Sequence, residues 1–388
     1  MTRRICFITG SRADYGHLSP VMTAIKGREG LSLQLIVTGQ HLDARFGETW
    51  TAIRDDGFAI DERADLKLGD DTPLETAKAV GRGVGAIGEC LARLKPDIVV
   101  ILGDRFEILA AAEAALLLNI PVAHIHGGEA TEGAIDDAIR HAITKMSRLH
   151  FCAAEPYARR VRQMGENPKH VFTVGAPGLD VLKTMDFLSR DALAEDLGID
   201  LSGGLLLITY HPVTLKLDEG KAAVEELVRA LGSFDDTAMV FTGVNSDPGH
   251  NVISDTISAF AGQASHRRVM INSLGQRRYL SAVREADAVI GNSSSGLIEA
   301  PALGVPTVNI GDRQKGRLRG ASVIDCGDDS AEITAAISKA LTPAFRSAAR
   351  TSEPPYGRGG AATQIVDALA EADLRQLSTK PFQDIMDC

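Results

Sequence analysis

Ile98-Val-Val-Ile-Leu-Gly-Asp-Arg-Phe-Glu107 and, one helix's length further on, Ile120-Pro-Val-Ala-His-Ile-His-Gly-Gly-Glu129 decide how this chain folds. Each is a short apolar run rich in β-branched residues that ends in glycine and charged side chains. A run buried on both faces, separated from the next by helical spacing, is the pattern of a parallel strand in an α/β sheet. The segment continues through Ile135-Asp-Asp-Ala-Ile-Arg-His141, so carboxylates, histidines and arginines gather where two neighbouring strands end. That edge of an α/β sheet is where ligands bind. Burying such groups unpaired costs several kcal/mol, so a purely structural protein has little reason to collect them.

The same alternation runs through the rest of the chain. Strands are expected at Ile5–Thr9, Leu33–Thr38, Ile98–Leu102, Val122–Ile125, Leu149–Ala153 and Val171–Val174, and then at Leu205–Tyr210, Met239–Thr242, Val269–Ile271, Ala288–Ile290, Thr307–Ile310 and Val323–Cys326. Two such sets predict an α/β protein of two Rossmann-like doubly wound domains facing a cleft. A helical, polar stretch at Asp186–Leu201 separates them. The expected divisions are an N-terminal domain over 1–187, a C-terminal domain over 188–362, and a helix and tail over 363–388. The last dozen residues carry little pattern and read as mobile.

The 388 residues, with 44% apolar and 24% charged content, describe an ordinary soluble globular chain. A net charge of −10 argues against nonspecific nucleic-acid binding and against an anionic membrane surface. No apolar run reaches the roughly 18 residues that a membrane span needs, and no signal-peptide pattern opens the chain. The five cysteines are scattered without C-x-x-C spacing, the pattern of reduced thiols in the cytoplasm. No spacing matches a metal site, and neither a metal nor a cofactor is expected.

Several strand ends carry groups suited to a phosphorylated ligand. Thr9-Gly-Ser-Arg-Ala-Asp-Tyr-Gly16 turns from strand to helix, offering backbone N–H groups and the Arg12 charge to an anion, or else pairing Arg12 with Asp14. Asn292-Ser-Ser-Ser-Gly-Leu-Ile-Glu299 repeats that physics, with Ser293 and Ser294 at a helix start and Glu299 placed to accept ribose hydroxyls. Arg313 is suited to a diphosphate. His211 ends one strand, where it can donate to a phosphate, and Asn245 ends another, where it can meet a base or sugar; either can equally be structural. Asp104, Glu129 and Asp136 are acid/base candidates, and Arg105 and Arg140 can hold carboxylates ionised or meet phosphates.

In order along the chain, Gly-Ser-Arg-Ala-Asp-Tyr-Gly (10–16), Gly-Asp-Arg-Phe-Glu (103–107), His-Ile-His-Gly-Gly-Glu (124–129) and Ile-Asp-Asp-Ala-Ile-Arg-His-Ala-Ile-Thr-Lys (135–145) are followed by His-Pro-Val-Thr (211–214), Gly-Asn-Ser-Ser-Ser-Gly (291–296) and Gly-Asp-Arg-Gln (311–314). Together they resemble the UDP-N-acetylglucosamine 2-epimerase family, in particular its hydrolysing branch, which feeds sialic and legionaminic acid synthesis. The resemblance runs from Ile5 to about Gly360. It implies a GT-B-like fold, a UDP-sugar substrate, no cofactor, and a homodimer or homotetramer. By motif, Arg12, Arg105, His211, Asn245, Ser293, Ser294, Glu299 and Arg313 would be the UDP-side residues, and Asp104, Asp136 and Arg140 match positions tied to catalysis. Some members have a catalytic Glu where this chain has His126, which leaves Glu129 or His126 as the base; Glu129 is the preferred reading. The implied reaction eliminates UDP to a 2-acetamidoglucal and then adds water with inversion at C2. On UDP-N-acetylglucosamine it gives N-acetylmannosamine and UDP. The alternative is the same chemistry on UDP-N,N′-diacetylbacillosamine, giving 2,4-diacetamido-2,4,6-trideoxymannose. A glycosyltransferase or a non-catalytic nucleotide-sugar sensor are readings from other classes.

Overall fold

The computed structural model describes residues 2–70, 72–130, 135–211, 220–243, 250–271 and 274–384, without the side chains of 220 and 250–252. The described chain divides into two compact units, residues 1–181 with 359–388, and residues 182–358. The sequence-based divisions stood at 187/188 and 362/363. The C-terminal helix Ala361–Glu371 belongs to the first unit because its buried stripe of Ala362, Ile365, Val366 and Leu369 packs into the same core as Leu18, Val21 and Met22.

Unit 1 holds a seven-stranded parallel sheet: β1 (Arg3–Thr9), β2 (Leu31–Thr38), β3 (Glu62–Ala64), β4 (Ile98–Leu102), β5 (Val122–Ile125), β6 (Leu149–Cys152) and β7 (Val171–Thr173), in the spatial order β3-β2-β1-β4-β5-β6-β7. Side chains alternate between the faces, so each strand feeds two cores. Ile5 and Phe7 of β1 join Leu35, Val37 and Val100 on one side, whereas Cys6 and Ile8 join Ile36, Val99 and Ile101 on the other. Helices cover both faces, which is why these strands read as unbroken apolar runs. The strand β3 was not expected. It is a three-residue edge strand, Glu-Arg-Ala, with no apolar run to betray it.

Unit 2 repeats the design with β8 (Leu205–Thr209), β9 (Ala238–Thr242), β10 (Arg268–Ile271), β11 (Ala288–Gly291), β12 (Thr307–Ile310) and β13 (Val323–Cys326), in the order β10-β9-β8-β11-β12-β13. Leu206 and Ile208 face one core and Leu205 and Leu207 the other. In both sheets the order reverses beside the first strand, between β1 and β4 and between β8 and β11. The loops leaving those carboxyl ends diverge and open a crevice, so each unit has one topologically defined place for a ligand.

Among the described residues Cys6, Cys90, Cys152 and Cys326 form no disulfide, and the first three are buried. No described helix is long and apolar enough to cross a membrane. The tail departs from expectation. Lys380 and Gln383 hydrogen-bond to unit 1, so residues 376–384 are held against it.

Candidate active site

In unit 1 the turn after β1 is stitched by Asp14. Its Oδ2 accepts the Gly10 N–H at 2.8 Å and its Oδ1 accepts the Ser11 N–H at 2.7 Å. Those two amides are therefore occupied, contrary to the expectation that the turn leaves them open to an anion. Asp14 does not pair with Arg12. It closes a Ser-x-x-acid cap on the helix Arg12–Lys26, and Arg12 stands exposed with no carboxylate partner among the described residues. What this turn offers a ligand is the guanidinium.

At the end of β4, Asp104 is hydrogen-bonded by the buried Arg140 from the helix Ile135–Met146. Arg140 also lies 3.7 Å from Asp137, which in turn lies 3.6 Å from His141 one helical turn on. Asp136 is half-buried on the first turn of that helix. Arg105 spends its Nε on Glu107, at 2.7 Å. Glu107 is fully buried, and burial pushes its pKa up against the pull of Arg105. Sequence reasoning passed over Glu107, although its place in Gly-Asp-Arg-Phe-Glu was a signal.

At the end of the adjacent strand β5, two histidines take different roles. His124 is fully buried and donates from Nε2 to the Gly103 carbonyl at 2.7 Å, tying the β5 end to the β4 turn. Burial pushes its pKa down to about 3, so it is neutral. His126 sits in the left-handed region, at φ 64°. Histidine tolerates that conformation better than bulky residues do, and such strain clusters at functional sites. Its Nδ1 is hydrogen-bonded to Glu129 Oε1, and its Nε2 is buried with no partner among the described residues. A carboxylate on one ring nitrogen leaves the other as the acceptor. His17 packs 5.7 Å from the His126 ring, and burial lowers its pKa to about 4.

In unit 2 the end of β8 is fastened to the end of β11. Asn292 accepts the His211 N–H through Oδ1 at 2.7 Å and donates from Nδ2 to the His211 carbonyl at 2.8 Å. The Asn292 carbonyl accepts from Arg313 Nη1 at 3.1 Å and from Gln314 Nε2 at 2.8 Å. His211 and Arg313 are thus set by one buried residue, Asn292, through its side-chain amide and its main-chain carbonyl respectively, a role that sequence reasoning did not assign. Gly291 makes this approach possible: at φ 133°, a Cβ there would lie 1.9 Å from the Thr209 carbonyl oxygen.

The serines stand at the start of a 3-10 turn instead of an α-helix. Ser293 caps a single 3-10 turn, Ser294–Gly296, and Glu299 begins a four-residue helix. Glu299 is half-buried, its Oε2 has no partner among the described residues, and loss of water raises its pKa. A carboxylate so placed accepts hydroxyl donors readily. A cavity of about 710 Å³, lined by Tyr210, Gly311, Lys315 and Arg319 among others, opens at the carboxyl ends of β8, β12 and β13. That is the size of a nucleotide pocket. Asn245 and residues 212–214 of the His-Pro-Val-Thr motif lie outside the described residues. Among the described residues no group of three or more His, Cys, Asp or Glu could hold a metal ion.

Two parallel doubly wound sheets with titratable groups gathered at their strand ends define an α/β enzyme of two Rossmann-like domains. The model of the family described as UDP-N-acetylglucosamine 2-epimerase matches residues 23–370. A Campylobacter jejuni protein named GDP/UDP-N,N′-diacetylbacillosamine 2-epimerase (hydrolyzing) is 40% identical over 323 residues, 83% of this chain and 84% of that protein. Legionella pneumophila UDP-N,N′-diacetylbacillosamine 2-epimerase (hydrolyzing) is 37% identical over 325 residues, 84% of this chain and 85% of that protein. The solved structure of Neisseria meningitidis UDP-GlcNAc 2-epimerase bound to UDP-GlcNAc shares the fold, with a TM-score of 0.76 at 18% identity over 95% of this chain and 100% of that one. The chain belongs to the UDP-N-acetylglucosamine 2-epimerase family.

Proposed function

We propose that this enzyme is a hydrolysing UDP-sugar 2-epimerase that releases UDP and a free manno-configured sugar, and that its sugar is N,N′-diacetylbacillosamine. The observation that carries the chemistry is the His126–Glu129 pair on the strand next to the Asp104–Arg140 pair. The two relatives named as hydrolysing epimerases of diacetylbacillosamine support this sugar over N-acetylglucosamine.

In the first step a base takes the C2 proton while the C1–O bond breaks. The C2–H electron pair becomes the C1=C2 bond of the glycal, and UDP leaves with the C1–O pair. That proton is weakly acidic, so the base must be placed well and much of the bond cleavage must precede its removal. Glu129 already accepts from His126 Nδ1, so His126 Nε2 is the better acceptor, with Glu129 orienting the ring and stabilising the imidazolium. This reverses the preference for Glu129 as the base itself. Arg12, Arg105, Arg313, His211 and the hydroxyls of Ser293 and Ser294 are assigned to the departing diphosphate, Glu299 to the ribose and Asn245 to the base or sugar.

In the second step water adds across the double bond, hydroxyl to C1 and proton to C2 from the opposite face. Asp104, paired with Arg140, and Asp136 direct that water and return the proton. The proposal keeps the homodimer or homotetramer that the family resemblance implies and the cytoplasmic setting expected from the cysteine pattern and the absence of a signal-peptide pattern.

The test is phosphorus NMR of enzyme mixed with each sugar donor and no acceptor. UDP should appear from UDP-N,N′-diacetylbacillosamine with a kcat/KM at least about tenfold above that for UDP-N-acetylglucosamine, the scale on which a pocket separates substituents. The reverse order returns N-acetylglucosamine as the substrate, and faster release from a GDP-linked donor moves the base assignment. No free nucleotide from any donor refutes the proposal and favours a transferase or a sensor.

A further inference from the structure

At the amino ends of β6 and β7, the opposite edge of the unit 1 sheet from the strand ends above, a second cluster of titratable groups is buried. Glu166, 2% exposed, accepts from Lys145 Nζ at 2.7 Å, His150 Nε2 at 2.9 Å and Lys380 Nζ at 2.6 Å. Lys380 comes from the tail, and its ammonium also donates to the carbonyls of Thr144, Lys145 and Ser147 at the end of the helix Ile135–Met146. Phe382 lies so close over Gly165 that a Cβ there would be 2.4 Å from its ring, and the Gln383 N–H donates to the Gly165 carbonyl at 3.0 Å. The docked tail walls a cavity of about 220 Å³ lined by Arg148, Asn167, His170, Thr379 and Lys380, with Glu166 also on its wall.

Its charge does not balance. Three cations, Lys145, Arg148 and Lys380, surround one carboxylate, Glu166. Arg148 is half-buried, yet its guanidinium has no hydrogen bond or ion pair among the described residues, and burial lowers its pKa. Burial likewise pushes Lys380 down to about 8, which still leaves it charged at neutral pH. Positive charge drawn partly out of water, as at Arg148 and Lys380, is stabilised by an anion that joins it.

We propose that this cavity binds a small oxyanion, a phosphate or a carboxylate, through Arg148 with hydrogen bonds from His170, Asn167 and Thr379, while Lys380, whose N–H groups are given to Glu166 and the helix end, adds only its charge. The volume suits an ion of a few heavy atoms, a water molecule occupying roughly 30 Å³, and is too small for a nucleotide sugar. The site stands apart from the strand ends assigned to the reaction and does not depend on that assignment.

The test is thermal unfolding of the full chain with saturating UDP, which keeps phosphate from competing at unit 2. Sodium phosphate is titrated in one arm and sodium acetate in the other, each against sodium chloride at matched ionic strength. The melting temperature should rise saturably beyond the chloride control, and the arm that responds names the source of the anion. Arg148→Met should raise the half-saturating concentration at least about tenfold, the loss of one charge-assisted contact. His170→Ala should weaken the response in the same direction, and it serves if Arg148→Met does not fold. No response beyond chloride, or equal responses from wild type and both variants, overturns the proposal. Failure of the epimerase assignment would leave this difference between variants readable.

Discussion

Replacing Asn292 by aspartate alters one atom of a buried side chain and reverses one hydrogen bond. Asn292 is 1% exposed, and both its side-chain partners are the backbone of His211, an N–H and a carbonyl, so the orientation of its amide is fixed. Asn292→Asp keeps the shape but turns the donor facing the carbonyl, at 2.8 Å, into an acceptor. An ionised carboxylate there would face a carbonyl oxygen in a dry site, so the group keeps its proton and donates it. Its folded pKa is then raised above the roughly 3.9 of an unfolded aspartate. Above that value the native state binds more protons than the unfolded state, so stability falls as pH rises. The slope reaches about 1.4 kcal/mol per pH unit until the folded pKa is passed. Between pH 5 and pH 8 the variant should therefore lose about 2–4 kcal/mol relative to wild type. Asn292→Ala strands two buried backbone groups and should lose roughly 2–4 kcal/mol at both pH values. Urea unfolding followed by far-ultraviolet circular dichroism reads this, with the fluorescence of Trp50, the single tryptophan, reporting unit 1 separately. A deficit in Asn292→Asp that does not change with pH would refute the reasoning.

Other perturbations test the assignments in unit 1. Asp104→Asn should lower kcat by about 10²–10⁴-fold while the Kd for UDP stays within about twofold; equal loss of both, by initial rates and calorimetry, would contradict a catalytic role. It should also lower the melting temperature, because Arg140 is left as a buried charge without this carboxylate. His126→Gln should cost more in kcat than Glu129→Gln, about 10³-fold or greater against about 10²-fold, since only the first removes the proton acceptor. The opposite order would return the role of base to Glu129. Burial works against the charge on Glu166, but His150, Lys145 and Lys380 outweigh it and hold its pKa down at about 2. A depressed carboxylate stabilises the fold above its ordinary pKa of 4.5 and loses that contribution as pH falls towards 2, on the order of 3 kcal/mol. Melting curves from pH 5 to pH 2 should show that loss in wild type and not in Glu166→Gln; parallel curves would refute it.

The fold was legible where burial is two-sided. Val99, Val100 and Ile101 contact cores on both faces of the sheet, so β4 has no polar positions to blur the pattern. The edge strand β3 has little to bury and left no run. The site was legible as motifs, because Gly-Asp-Arg, His-Ile-His and Asn-Ser-Ser all fall at the carboxyl ends of strands. Their internal wiring was less so. That Asp14 would take the turn amides was readable, since Ser11-x-x-Asp14 has capping-box spacing. That Asn292 would bind the backbone of His211 was not, because its partners are main-chain groups 81 residues away. Lys380 had no local signal at all. Its partners lie on a helix end and a loop far upstream, and only the docking of the tail brings them together.

Proton NMR in D2O of the sugar released from the UDP-linked donor tests the central claim most directly. The account predicts free UDP and a manno-configured sugar carrying one solvent deuterium at C2, because the proton taken in the elimination is replaced from water. A released sugar that keeps its original C2 proton, or a manno sugar still attached to UDP, would contradict it.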